Sequence, residues 1–148
     1  MNQRVSVTVA AMAEREGRFL VVEEETDEGV RLNQPAGHLE PDESLVEAVV
    51  RETLEETAYG FVPRSLLGVY RWRHPTKGIS YVRFAFVGEV TSPEVGRALD
   101  TGILGALWLT PAELRAQAAR HRSPLVQRCI QDYLAGRRFP LDLLIHYG

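Results

Sequence analysis

The chain of 148 residues has a single cysteine, Cys129. One thiol excludes an intramolecular disulfide, so the fold has no covalent staple and the composition fits a reducing cytoplasm. Cys129 falls in a helical pattern with Val126 and Ile130 and reads as core, with no local nucleophile context. Charge of one sign is not in large excess: 17 Lys and Arg stand against 20 Asp and Glu, a formal net charge of −3. No global basic field attracts nucleic acid, and no stable complex with it is expected; a polyanionic substrate has to be met by local cations and a metal. No stretch approaches the roughly 18 apolar residues of a membrane span, and the N-terminus lacks the apolar region of a signal peptide. Internal repeats, low-complexity tracts and linkers are absent too.

What is present suits one domain over residues 1–148. Hydrophobic content of 45% and charged content of 25% are ordinary for a globular protein, and the length allows a full core. Val5–Val9 alternates with period two and reads as a strand, so Met1 begins almost directly on one. Arg18–Val22 reads as a second strand, joined to the first through a Glu14–Gly17 hairpin turn. Asp27-Glu28-Gly29 marks another turn, and Val30–Gln34 a short strand leading to a glycine loop, Pro35–Pro41. A helix is expected from about Ser44 to Ala58, capped by Asp42 or Ser44, with Ser44 and Glu47 fitting a capping box. Leu66–Trp72 and Tyr81–Val90 read as long strands and Leu107–Leu109 as a short one. Thr110-Pro111-Ala112-Glu113 is a second capping box; a last helix opens at Ser123-Pro124 and ends at Gly136. Strands flanked by two helical regions predict an α/β helix–sheet–helix sandwich.

The chemistry is concentrated on the first helix. Glu52, Glu55 and Glu56 stand at i, i+3 and i+4, which puts three carboxylates on one face. They repel, and they fall near the helix end, where the macrodipole is already negative. Arg51 is the only basic neighbour. A solvated acidic face is the ordinary meaning of such a run. Here Glu52 and Glu56 continue the row of Leu45, Ala48 and Val49, so they border the packed face. Gly37 in the preceding loop permits a sharp turn and leaves room for a carbonyl to face a ligand. A divalent cation on oxygen ligands is the natural compensation.

Gly37, Glu43, Arg51-Glu52 and Glu55-Glu56 together resemble the Nudix box, G-x5-E-x7-R-E-U-x-E-E-x-G-U with U aliphatic, laid over Gly37–Tyr59. Every charged position is kept. Thr53 replaces an aliphatic U, Ala58 replaces the second Gly, and Tyr59 is bulky but not aliphatic; Gly60 is positioned to take over the helix-ending role. Asn33–Glu40, Arg83-Phe84, Arg122–Val126 and Gly136–Leu141 resemble the NudJ-type phosphatase branch, so the likeness covers most of the chain. The resemblance implies an α/β/α sandwich with a mixed central sheet. It also implies a Mg²⁺-dependent pyrophosphohydrolase, with Mn²⁺ able to substitute, acting on a phosphorylated small molecule.

Glu52 and Glu56 are the expected metal ligands, with the Gly37 carbonyl a third as the family implies. Glu55 is a ligand or the base that deprotonates water, and Glu43 and Arg51 orient the others by pairing with them. Asp100 is a further ligand candidate. Arg83 is weighed as a phosphate donor against a solvent-facing strand residue, and His38 as a phosphate or metal contact against a loop histidine. Trp72, His74 and Tyr81 form a candidate ring pocket, with hydrogen bonds from Asn33 and Gln34. The branch likeness implies nucleoside tri- and diphosphates and hydroxymethylpyrimidine diphosphate as substrates. ADP-ribose or another nucleoside diphosphate sugar is the same-chemistry alternative. A non-catalytic ligand-sensing module is the alternative of another class, against which the intact carboxylates weigh. The expected assembly is a monomer or homodimer.

Overall fold

The computed structural model describes residues 3–148, so the expectation about Met1 lies outside the described residues. The first strand, β1, spans Arg4–Met12. Beyond Val9 it is a run of small and apolar residues, all buried. That run serves two faces. Val9 and Ala11 pack with Ala48 and Val49, whereas Ala10 and Met12 pack with Leu114, Cys129 and Ile130. Strand geometry sends successive side chains to opposite sides, so one strand supports two cores.

The other elements fall in place around it. β2 is Glu14–Arg15, β3 Arg18–Thr26, β4 Gly29–Asn33, β5 Ala36–His38, β6 Tyr59–Arg73, β7 Ile79–Pro93 and β8 Ile103–Leu109; the helices are α1 Leu45–Thr57, α2 Pro111–Ala116 and α3 Leu125–Leu134. The first sheet has the order β5-β1-β7-β6. It is mixed, because β1 and β7 run parallel while β5 and β6 join antiparallel. The second sheet joins β2, β3, β4 and β8, all through antiparallel pairs to β3. The two-sided parity recurs. Leu66 and Phe86 face α1, while Leu67 and Ala85 face α3. The helix–sheet–helix sandwich is therefore the architecture.

Two expectations change. The Glu14–Gly17 turn pairs β2 with β3, not β1 with β3, because the chain passes from one sheet to the other at Ala13. The glycine loop contains a strand, β5, which a propensity reading misses because Ala36-Gly37-His38 has no β-branched residue. Both capping boxes form, at Ser44 and at Thr110.

The end of α1 also differs. Gly60 lies inside β6, and Ala58 itself takes the left-handed conformation, φ 66° and ψ 0°. Its N–H donates to the Leu54 carbonyl. Thr53 is fully buried at its unusual position, and its hydroxyl donates to the Val49 carbonyl at 2.7 Å, so no polar group is stranded. A left-handed alanine carries strain of about 1 kcal/mol, partly offset by its smaller unfolded-state entropy. Ala58→Gly is expected to stabilise the protein by up to about 1 kcal/mol, read as a higher urea midpoint at unchanged slope.

Candidate active site

The capping box at Ser44 sets where α1 begins and hence which way its carboxylates point. Their organiser is Arg51. Its Nε donates to Glu43 Oε2 at 2.9 Å and Nη2 to Glu43 Oε1 at 2.5 Å. Nη1 donates to Glu52 Oε1 at 2.8 Å and to Glu55 Oε1 at 2.9 Å. Nη2 also reaches the His38 carbonyl at 3.0 Å, tying the helix to β5. Hydrogen bonding to Glu43 and then to Glu52 pushes the guanidinium well above its ordinary range, and the same bond holds Glu43 below its own. Glu43 also accepts from the Glu40 N–H, bracing the turn before the helix.

Arg51 does not neutralise the whole group. Glu52 and Glu56 are both buried. Burial pushes Glu52 up against the opposing pull of Arg51. Glu56 accepts a hydrogen bond from the Ala36 N–H at 3.0 Å, yet burial, aided by the nearby Glu52, Glu24 and Asp100 charges, raises it to about 9. A Cβ placed on Gly37 would lie 2.1 Å from the Glu52 carboxyl carbon, so only glycine lets β5 pass this close to the helix. The donor set is thus carboxylate oxygen crowded against backbone, with more negative charge than Arg51 balances, and it fits a hard divalent cation. One oxygen each from Glu52, Glu55 and Asp100 also lies within 4.8 Å of the others. Asp100 is brought there by its N–H, which donates to the Glu55 carbonyl at 3.0 Å.

Glu52, Glu56, Gly37 and His38 open into a cavity of about 380 Å³, the size of a small-molecule site. Its far wall carries Trp72, His74 and Tyr81. Trp72 and Tyr81 are cross-strand partners, stacked at 5.8 Å between centroids and 17° between planes. His74 Nδ1 accepts from the Thr76 and Lys77 N–H groups, both at 3.2 Å, which fixes the ring and places its proton on Nε2. Burial, then the Arg4 and Arg122 charges, lower His38 below the usual histidine range.

Two expected substrate contacts are placed differently. Arg83 lines the cavity but does not face solvent; it is 5% exposed. Nη1 donates to Gln34 Oε1 at 2.8 Å and Nη2 to Asn33 Oδ1 at 2.9 Å, with Cys129 Sγ 3.7 Å away. Gln34 is displaced from the expected wall altogether. It is buried with Nε2 donating to the Val126 carbonyl at 2.9 Å, whereas Asn33 does line the cavity. Alternation explains this, since neighbours beyond β4 point in opposite directions. Residues that the sequence reading did not single out also line the cavity: Glu24, Glu28, Lys77, Arg122 and Ser123. Arg122 and Ser123 belong to a segment of the branch resemblance; the other three sit on a strand or a turn without a motif.

A family model described as the NUDIX domain matches residues 2–129. The chain belongs to the Nudix family. It is 41% identical over 138 residues to the Phosphatase NudJ of Escherichia coli strain K12, covering 93% of this chain and 89% of that relative. The solved NUDIX hydrolase from Nitrosomonas europaea aligns at TM-score 0.93 and 50% identity, over 96% of this chain and 97% of that one. A MutT NUDIX hydrolase from Burkholderia pseudomallei, 18% identical, aligns at TM-score 0.74 over 86% and 97% of the two chains and shares the fold. This Nudix protein is accordingly a hydrolase of phosphoric anhydride bonds in phosphorylated small molecules, dependent on a divalent metal. No helix among its described residues is long and apolar enough to cross a membrane.

Two outcomes follow from the raised carboxyls of this Nudix site. Glu56 binds a proton in the folded state that it loses when unfolded near neutral pH. Its contribution is therefore complete below its ordinary value of 4.5 and is lost as pH rises toward about 9. The melting temperature of the metal-free protein is expected to fall across that window, and millimolar Mg²⁺ to flatten the decline. Calorimetry in EDTA and in Mg²⁺ reads both; identical profiles would contradict a cation at this site. Arg83→Ala is expected to destabilise by about 2–4 kcal/mol by stranding the buried Gln34 oxygen, measured by urea denaturation.

Proposed function

We propose that this Nudix hydrolase is a Mg²⁺-dependent pyrophosphohydrolase, with Mn²⁺ able to replace Mg²⁺. Its proposed substrates are nucleoside tri- and diphosphates and hydroxymethylpyrimidine diphosphate, from which it releases phosphate. The observation that carries the reading is one cavity with the Glu52–Glu56–Gly37 group at one end and the Trp72–Tyr81 stack at the other. The 41% identity to Phosphatase NudJ supports the branch. We further propose one domain over residues 1–148, a cytoplasmic protein acting as a monomer or homodimer, with no stable nucleic-acid or membrane partner. The balanced charge supports the absence of a nucleic-acid partner.

Glu52, Glu56 and the Gly37 carbonyl are the proposed holders of the metal, with Glu55 and Asp100 completing a second carboxylate edge beside Glu52. The bound cation supplies charge neutralisation at the phosphate oxygens and acidifies a water. Arg51 holds Glu52 and Glu55 side by side through its shared Nη1. Glu55 holds one oxygen on Arg51 and has a second with which to take a proton from the attacking water. Trp72 and Tyr81, stacked on one another, offer apolar ring edges and an outer ring face to the leaving nucleotide or pyrimidine ring. Arg83, with Asn33 fixed to it, presents a buried positive wall near the phosphates.

Phosphate release over a panel of diphosphates, with Mg²⁺ and with EDTA, tests the reading. Activity should vanish in EDTA and return with Mg²⁺ or Mn²⁺. Glu56→Gln should lower kcat by about a hundredfold or more while keeping the fold; a loss of only a fewfold would remove Glu56 from the metal set. Trp72→Ala should raise KM for nucleotides and spare inorganic pyrophosphate; equal losses for both would make Trp72 a packing residue.

A further inference from the structure

We propose that Glu28 selects the substrate's ring, reading an exocyclic amino group at the far end of the cavity, best when an N–H and an NH₂ stand side by side. This rests on the hydrolase reading above, and it concerns a residue at the opposite end of the cleft from the carboxylates of α1.

Glu28 occupies the β3–β4 turn, which belongs to the second sheet. The turn leans across to the β6–β7 turn of the first sheet, where Lys77 Nζ meets Asp27 at 3.0 and 2.8 Å. That contact ties the two turns together next to Glu28. Glu28 lines the main cavity and also the hollow adjoining it, as do Trp72 and His74, so its carboxylate stands where the stacked wall ends. A ring lying against Trp72 and Tyr81 would present its edge there.

The carboxylate is oriented but not consumed. His74 Nε2, the protonated nitrogen of a ring pinned by two backbone bonds, lies 3.7 Å from Glu28 Oε1. Lys77 Nζ lies 4.0 Å from the same oxygen, its tight contacts being with Asp27. Both distances exceed hydrogen-bond length while still holding the charge in place. An ionised carboxylate is acceptor-only and takes two parallel N–H donors through its two oxygens. Guanine offers such a pair, and adenine, cytosine and 4-aminopyrimidine rings offer one amino group. Rings without an amino group gain less, and a carbonyl at that edge is repelled. Half of the side chain remains open to solvent, so the effect is on selection rather than on total affinity.

Guanosine and inosine differ only in the exocyclic amino group, so they isolate this contact. Binding of their α,β-methylene diphosphates in Mg²⁺ is measured by calorimetry, alongside kcat/KM for the two triphosphates. The wild type should prefer guanosine by about tenfold, and Glu28→Ala should bring the two within about twofold. Glu25→Ala, which removes an exposed carboxylate from the same hairpin that lines neither hollow, should keep the preference. Equal binding in the wild type, no binding of either analogue, an unchanged ratio in Glu28→Ala, or the same collapse in Glu25→Ala would each overturn the proposal. Failure of the hydrolase reading is separate: it shows as no phosphate release from any diphosphate while the binding ratio is still read.

Discussion

One guanidinium holds the chemistry of this protein together. Two carboxylates at the end of a helix and a third in the turn before it would otherwise spread apart or bend into solvent. Arg51 contacts Glu43, Glu52 and Glu55 at once and reaches the His38 carbonyl of β5 with the same nitrogen that grips Glu43. Its planar fork makes those bonds in fixed directions, which a lysine in its place would not. Glu56 stands outside this network and is the carboxylate burial disturbs most. The carboxylate group is thus divided into a part paired with Arg51 and a part, Glu56, left without a cationic partner at the cavity.

The backbone supports the same arrangement. Val9 pairs with Phe84 of β7 on one side and Gly37 of β5 on the other, so the strand that anchors both cores also positions the glycine beside Glu52. Burial of apolar surface on each side of β1 therefore stabilises the fold and the site through one element. Tyr70 extends the coupling to the other layer: its hydroxyl donates to Asp132 of α3 at 2.7 Å. Arg83 does so from β7, bonding Gln34 and approaching Cys129.

The charged spacing on α1 was the most readable part of the sequence. Helical periodicity maps i, i+3 and i+4 directly onto one face, and the capping box marks its start without reference to the rest of the chain. The sandwich was legible for the same reason, through alternating strands and two helix signals. What resisted reading depended on partners far along the chain. The pairing of β5 with β1 rests on backbone bonds that Ala36-Gly37-His38 does not advertise. The burial of Gln34 follows from α3 closing over it, and the roles of Lys77 and Glu28 from two turns meeting across sheets. Ala58 shows the limit of motif logic: the chain keeps the left-handed bend and accepts an unfavourable residue in it.

The meeting of those two turns has an evolutionary consequence. The side of the cleft proposed to meet the ring is built from hairpin tips, Asp27–Glu28 and His74–Gly78, while the proposed metal-holding side is built from a helix and a short strand. Hairpin tips tolerate insertion and replacement far better than a capped helix does. Lineages that descend from such a scaffold are free to diversify the compound they recognise by remodelling two short loops, while the bond they cleave stays the same.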